Sequence, residues 1–126
     1  MLKALRIAVL GLFAILASSW AAHASMPFDQ AAFQQAQTSG KTILIDVFAP
    51  WCPVCRKQQS TLQSVQKERP NLVVFQIDYD SSKDLLKRFN VQKQATLIVF
   101  KGTNEVGRLS YDPDPEKIRA LVAKGF

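Results

Sequence analysis

The stretch ILIDVFAPWCPVC, residues 43–55, decides the fold because it joins an apolar strand to two closely spaced cysteines. Residues 43–49 are almost wholly apolar, as in a strand that is covered on both faces. If the chain is helical from Cys52 onward, the sulfurs of Cys52 and Cys55 lie about one turn apart on one face. Their Cα atoms are then about 5 Å apart, within the range of a disulfide. The stretch predicts a strand, a helix and a reversible disulfide at their junction.

The cysteine count favours a working disulfide over a structural one. Cys52 and Cys55 are the only cysteines, and a bridge between them closes a two-residue loop, which stabilises a fold little. A permanent clip remains an alternative. A zinc site needs further ligands, and the single histidine, His23, lies in the N-terminal segment. We therefore expect no metal and no cofactor, unless a dimer pools its thiols.

The N-terminal segment has the pattern of a secretory signal peptide. Lys3 and Arg6 precede the apolar run 7–17, and a small-x-small cleavage pattern ends at Ala24. An uncleaved membrane anchor is the alternative, although the run is shorter than the roughly 20 residues that span a bilayer. We expect cleavage near Ala24 and export to an oxidising compartment, the periplasm of a bacterium.

Residues 1–24 are thus predicted as a signal peptide and residues 25–126 as a single domain. The net charge of the whole chain is +6, but its basic residues are scattered and form no run. No aromatic residues are interleaved with them as in a nucleic-acid-binding track. We expect no nucleic acid as partner, and membrane contact only if the signal segment is retained.

The order of elements predicts a mixed sheet with helices on both faces. Hydrophobic periodicity and β-branched content predict helices at 28–37, 53–69 and 83–89 and one that opens at Asp114, and strands at 43–49, 72–79, 96–100 and 105–111.

Local signals set the element ends. Pro70 stops the second helix, and Ser82 can cap the third. Residues 101–104 are typical of a hairpin turn, and Gly107 suggests a bulge in the strand that follows. Asp114 and the proline after it open the last helix with a cap and a fixed φ.

Over residues 28–124 the chain resembles the thioredoxin superfamily. The resemblance rests on the strand that contains Asp46, the run Trp51-Cys52-Pro53-Val54-Cys55, the approach to the third strand at residues 91–96, and the hairpin with its terminal helix. It implies the α/β thioredoxin fold, a central mixed sheet of four to five strands flanked by helices on both faces.

The predicted catalytic residues are Cys52, Cys55 and Asp46. Cys52, at a helix start, faces unpaired backbone N–H groups and is the expected nucleophile, while Cys55 is the resolving thiol. Burial should raise the pKa of Asp46, and the resemblance implies that it relays protons for Cys55. A carboxylate satisfied by backbone or water is the alternative for Asp46.

The predicted substrate contacts are Trp51, Pro53, Val54, Ala95 and Thr96. Trp51 is expected as a hydrophobic shoulder, although a purely structural role is equally open. Ala95 stands where the family usually has a cis-proline that faces the dithiol. A cis bond before Ala95 costs about 3 kcal/mol, so we expect a trans peptide there.

Two further departures concern the surroundings of the dithiol. Gln76 stands where many thioredoxins have a lysine near the buried acid, and Ser60 stands where they often have a helix-kinking proline. Residues 56–59 make the helix after Cys55 unusually polar, either as a solvated face or as a recognition surface.

These features predict an exported thiol–disulfide oxidoreductase, most simply a reductase of protein disulfides and a monomer. The resemblance implies protein disulfide or dithiol substrates and a membrane electron-relay protein as electron donor. A dithiol oxidase or isomerase is the alternative enzyme. A redox-sensing module, or one that bridges a metal or Fe–S cluster through the same cysteines, is the non-enzymatic alternative.

Overall fold

A five-stranded mixed sheet forms the centre of the computed structural model, which describes residues 25–126. The predicted signal peptide, residues 1–24, lies outside the described residues. The strands lie in the order β1-β3-β2-β4-β5. Their bounds are β1 Met26–Pro27, β2 Thr42–Phe48, β3 Val73–Asp78, β4 Thr96–Lys101 and β5 Asn104–Ser110, and the helices are α1 Gln30–Thr38, α2 Pro53–Glu68, α3 Lys83–Arg88 and α4 Pro115–Ala123.

The predicted mixed sheet with flanking helices is confirmed. Strand β2 runs parallel to β3 and antiparallel to β4, so it occupies the centre of the sheet. Its residues are buried as far as Val47, as the apolar run predicts. The two-residue strand β1, which pairs with β3, was not predicted because it is too short to show a periodicity.

Aspartate side chains cap the starts of α1 and α4, but the predicted serine cap of α3 is not formed. Asp29 caps α1 by accepting a hydrogen bond from the Ala32 N–H at 2.8 Å, so α1 begins after Phe28 and not at it. Asp114 caps α4 as predicted, with Pro115 in the first turn. Ser82 precedes α3 but its side chain makes no capping bond, so that prediction is right in position and wrong in mechanism.

The β4–β5 hairpin carries the predicted bulge. Val99 pairs with Gly107 and Phe100 with Glu105, so Val106 is the extra residue. A Cβ atom at Gly107 would lie 2.9 Å from the Leu121 side chain of α4, which explains the glycine. The close approach lets α4 pack on this part of the sheet.

The two faces of the sheet bury different side chains. On one face, with α1 and α3, five rings with centroid separations between 5.3 and 6.2 Å form the phenylalanine cluster, Phe28, Phe33, Phe75, Phe89 and Phe100. The other face, with α2 and α4, is aliphatic and includes Leu44, Leu62, Val74, Leu97 and Ile118. Because side chains alternate along a strand, Asp46 of β2 lies on the same face as Leu44, beneath α2.

Within residues 25–126, no helix combines the length and the apolar character that crossing a membrane requires.

Candidate active site

The two cysteines lie where β2 leads into α2. Cys52 is the N-cap of α2, and its sulfur accepts a hydrogen bond from the Cys55 N–H at 3.1 Å. Pro53 occupies the first turn, where its missing N–H removes one donor that would otherwise need a partner. The predicted junction of strand, helix and dithiol is therefore present, with the Cys52 sulfur aimed at the helix start.

Both cysteines are free thiols and fully buried. They pack with two small residues to form the dithiol cluster, Ala49, Cys52, Cys55 and Ala95. Because Cys52 is 0% exposed, a client disulfide cannot touch its sulfur in this conformation. The expected nucleophile is thus in place at the helix start, but covered in the dithiol state.

Cys55 is held as a neutral thiol. Burial, followed by its hydrogen bond with Cys52, raises the pKa of Cys55 to about 12. Hydrogen bonds with the backbone at Ala49 and Ala95 act in the opposite direction. Cys55 is therefore protonated at neutral pH and must lose a proton before it can attack a disulfide.

Asp46 is fully buried beneath α2, and two glutamine side chains hold it. Its Oδ2 accepts hydrogen bonds from Gln59 Nε2 at 2.6 Å and from Gln76 Nε2 at 3.4 Å, while Oδ1 has no partner among the described residues. Burial raises the pKa of Asp46, and the two amides oppose that shift without cancelling it. The predicted burial and direction of the shift are confirmed, and the charge partner is replaced by neutral amides.

The sequence does not identify Gln59 as a site residue, because it ends the polar run 56–59, which predicts a helix surface. It follows Cys55 by four positions, so the two residues lie on neighbouring turns of one helix face. That spacing, together with an unpaired acid in the preceding strand, is the signal that could have identified it. Gln59 is half-buried and connects α2 to the Asp46 carboxyl group.

The predicted substrate contacts divide into exposed and buried residues. Trp51 is 54% exposed, and its Nε1–H donates to Asp80 Oδ2 at 2.8 Å. Pro53 is exposed and Val54 half-buried. The side chains of Ala95 and Thr96 are buried, and the part of all five residues in substrate binding stays a prediction.

Ala95 follows a trans peptide bond, as predicted, since the described residues contain no cis bond. Its φ is +57°, in the left-handed region that side chains other than glycine rarely adopt. Its N–H donates to Val47 O at 2.8 Å, and its carbonyl accepts from the Tyr111 N–H at 2.9 Å. Ala95 is thereby fixed between the end of β2 and the residue after β5.

Gln58 contradicts the interpretation of residues 56–59 as a solvated or recognition face. Gln58 is fully buried, and its Nε2 donates to the carbonyl oxygens of Ala95 at 3.1 Å and Asp112 at 3.0 Å. The signal for its burial is its place in the stripe that Cys55, Leu62 and Val65 continue at helical spacing.

No group of three or more histidine, cysteine, aspartate or glutamate side chains that could hold a metal ion occurs within residues 25–126.

Comparison with known proteins identifies the family. The thioredoxin family model matches residues 24–124. A thioredoxin from Alicyclobacillus acidocaldarius subsp. acidocaldarius is 32% identical over 102 residues, which cover 79% of this chain and 96% of that protein. A thioredoxin H-type from Fagopyrum esculentum is 34% identical over 77 residues, and the match spans 61% of this chain and 66% of that protein.

Solved structures agree with the fold and with the resemblance inferred from the sequence. The crystal structure of Trxlp from Edwardsiella tarda EIB202 is 37% identical, with a TM-score of 0.74, and the match covers 79% of this chain and 98% of that chain. The match to the family model, the sequence similarity and the shared fold extend over the domain that contains the dithiol. The chain therefore belongs to the thioredoxin family of protein-disulfide oxidoreductases.

Proposed function

We propose that this protein is an exported reductase of protein disulfides. A local movement at the start of α2 first uncovers Cys52, which is fully buried in the dithiol state. The Cys52 thiolate then attacks a sulfur of the client disulfide, forms a mixed disulfide and releases one client thiol. Cys55 then attacks the Cys52 sulfur, which forms the Cys52–Cys55 disulfide and releases the second client thiol. Two electrons pass from the dithiol to the client in each cycle, and an electron donor must restore the dithiol.

The observation that carries the direction of transfer is the apolar surrounding of the two thiols. Thioredoxin-fold oxidants are oxidising because their reduced form is stabilised, and known potentials range from about −270 mV to about −120 mV. Here the dithiol cluster contributes only alanines beside the cysteines, and no cationic side chain among the described residues donates a hydrogen bond to either sulfur. Burial also disfavours the thiolate of Cys55. A reduced form with so little stabilisation favours donation of electrons.

Asp46 supplies the proton acceptor in this proposal. Its carboxyl group is buried, its pKa is raised, and its Oδ1 is free of other partners among the described residues. A carboxyl group with a pKa nearer neutrality can both take and return a proton at neutral pH. Asp46 therefore accepts the proton of Cys55 in the resolving step and returns it afterwards.

The pattern of the N-terminal segment supports the cellular setting that we propose. Residues 1–24 direct export to the periplasm and are removed, and the mature domain acts there as a monomer. Because that compartment is oxidising, a membrane protein that relays cytoplasmic reducing power is the required electron donor. N-terminal sequencing of the protein from the periplasmic fraction should give a mature chain that begins near Ser25.

Acid-quenched alkylation of the protein in its native cells tests the direction of transfer. We expect most molecules to carry two alkylated cysteines, because a reductase is held in its reduced state by its donor. A Cys52→Ser variant, which cannot form the intramolecular disulfide, provides the mobility standard for one free thiol. A mostly oxidised resting state would assign the protein as a dithiol oxidase instead.

The second candidate is a module that ligates a metal or cluster through the same thiols. It is favoured by Ala95, since a proline ring facing the dithiol would obstruct a ligand at the sulfurs. Protein purified without oxygen distinguishes the two candidates through its absorbance and metal content. A coloured or metal-loaded dimer would support the ligating module, and colourless, metal-free protein supports the reductase.

A further inference from the structure

Gln58 connects three segments that surround the dithiol. It lies in α2, three residues after Cys55, and its Nε2 donates to Ala95 O, before β4, and to Asp112 O, after β5. The side chain is 0% exposed, so solvent does not compete for these bonds. Both protons of the amide nitrogen are therefore committed to holding two loops against the active-site helix.

The orientation of this amide follows from its partners. Both neighbours at Nε2 are carbonyl oxygens, which accept hydrogen bonds and cannot donate them. A flipped amide would place Oε1 against two oxygens and lose both bonds. Gln58 Oε1 has no partner among the described residues, so the side chain acts through its nitrogen alone.

Ala95 links this amide to the resolving thiol. Ala95 packs with Cys55 in the dithiol cluster, and its backbone acts to lower the pKa of the Cys55 thiol, which favours the thiolate. Ala95 holds a left-handed φ of +57°, which persists only where surrounding contacts enforce it. The Gln58 bond to the Ala95 carbonyl is one of those contacts, together with the bonds that Ala95 makes to Val47 and Tyr111.

We propose that Gln58 is a positioning residue for the resolving step, because it holds Ala95 in place beside Cys55 in the dithiol cluster. The inference rests on the proposed thiol–disulfide exchange and concerns its second half. There the Cys55 thiolate forms a bond to the Cys52 sulfur, the bond between Cys52 and the client sulfur breaks, and the client leaves as a thiolate. Without Gln58, Ala95 is held less firmly beside the Cys55 thiolate, while the attack of Cys52 is unaffected.

The two halves of the exchange can be timed separately with an aromatic disulfide whose thiolate absorbs light. Attack by Cys52 releases the first thiolate, and the displacement by Cys55 releases the second. Two variants remove the donors: Gln58→Leu has a branched apolar end of similar size, and Gln58→Met keeps the approximate length of the side chain. Gln63→Met, an exposed glutamine on the same helix, is the matched control.

In both Gln58 variants we expect the second release to slow by up to about tenfold, the size of a lost hydrogen bond between neutral groups. The first release should stay within about twofold, and Gln63→Met should match the parent protein in both. The pH dependence of the second release should move to higher pH in the Gln58 variants, a change that loosened packing alone does not produce.

The remaining outcomes distinguish a failure of the proposed Gln58 role from a failure of the proposed thiol–disulfide exchange. An unchanged second release, equal slowing of both releases, or an unmoved pH profile in a variant that folds would overturn the role of Gln58. Absence of the first release from the parent protein would instead refute the proposed exchange. If Gln58→Leu does not fold, Gln58→Met carries the test, because the flexible methionine side chain can adapt to the space that glutamine leaves.

Discussion

The phenylalanine cluster and the dithiol cluster lie in one domain but differ in composition, packing and backbone strain. The phenylalanine cluster consists of hydrocarbon rings in tilted and edge-to-face contact, the geometry that aromatic pairs prefer. The dithiol cluster is made of small residues and has a left-handed alanine, Ala95. Two buried side-chain oxygens have no partner among the described residues. Asp46 Oδ1 belongs to the residue beneath α2, and Gln58 Oε1 belongs to α2 itself.

The difference shows where the fold gains stability and where it gives some up. A buried polar atom without a partner costs about 1–3 kcal/mol, and a left-handed residue other than glycine costs about 1–2 kcal/mol. Such costs persist where surrounding structure enforces them, and they concentrate at functional sites. Changes in the phenylalanine cluster should therefore act on stability, and changes near the dithiol on chemistry.

The largest expected effect is loss of stability on Phe33→Ala. Phe33 is 2% exposed and packs against the rings of Phe28, Phe75, Phe89 and Phe100. Removal of the ring should lower the free energy of unfolding by about 3–5 kcal/mol, measured by urea titration.

If the phenylalanine cluster acts on stability alone, the folded fraction of Phe33→Ala should react with disulfides at the rate of the parent protein. Phe126→Ala, at a half-exposed ring, is the control and should change stability by less than about 1 kcal/mol. Equal destabilisation by the two variants would show that the phenylalanine cluster is not the main source of stability.

The two clusters also differ in how much of their structure can be predicted from the sequence. The fold follows from apolar runs and capping signals, because burial and helix ends depend on local patterns: the β2 run and Asp114 are examples. The positions of the two cysteines follow from their spacing. The amide partners of Asp46 and Ala95 do not follow from local patterns. Gln59 bonds to Asp46 across 13 positions of the chain, and Gln58 bonds to Ala95 across 37.

The next effect in size is on the rate of exchange in Asp46→Asn. The amide keeps the shape of the carboxyl group but cannot accept a proton, so the resolving step should slow about 100-fold at neutral pH. The measurement is the lifetime of the mixed disulfide with a client protein. Asp78→Asn, an exposed aspartate at the end of β3, is the control and should leave the lifetime unchanged. An unchanged lifetime in Asp46→Asn would exclude Asp46 as the relay.

The same substitution should change how stability depends on pH. Burial raises the pKa of Asp46 above its ordinary value of 3.8, so the folded state retains a proton that the unfolded state releases. The stability linked to Asp46 is full below pH 3.8 and declines as the pH rises towards the folded-state pKa.

Urea titrations of the parent and Asp46→Asn between pH 4 and pH 8 isolate this contribution. The stability of the parent minus that of the variant should fall as the pH rises. Taking the difference removes the opposite trend of Asp78 and Asp112, whose pKa values are lowered by hydrogen bonds from the Ser81 backbone and from Lys117. A difference that is constant with pH would mean that Asp46 titrates as it does in the unfolded chain.

The smallest expected effect is a gain in stability from Tyr111→Gly. Tyr111 has a φ of +56° and is 47% exposed, so its backbone is strained and its side chain buries little surface. Glycine adopts this conformation without strain, and the free energy of unfolding should rise by up to about 1 kcal/mol. Asn90→Gly, at a φ of +53° in the turn after α3, is the matched control and should gain less, because asparagine tolerates the left-handed region. A loss of stability in Tyr111→Gly would show that the Tyr111 ring contributes packing that outweighs its strain, and the comparison would then extend the well-packed region as far as the loop beside Ala95.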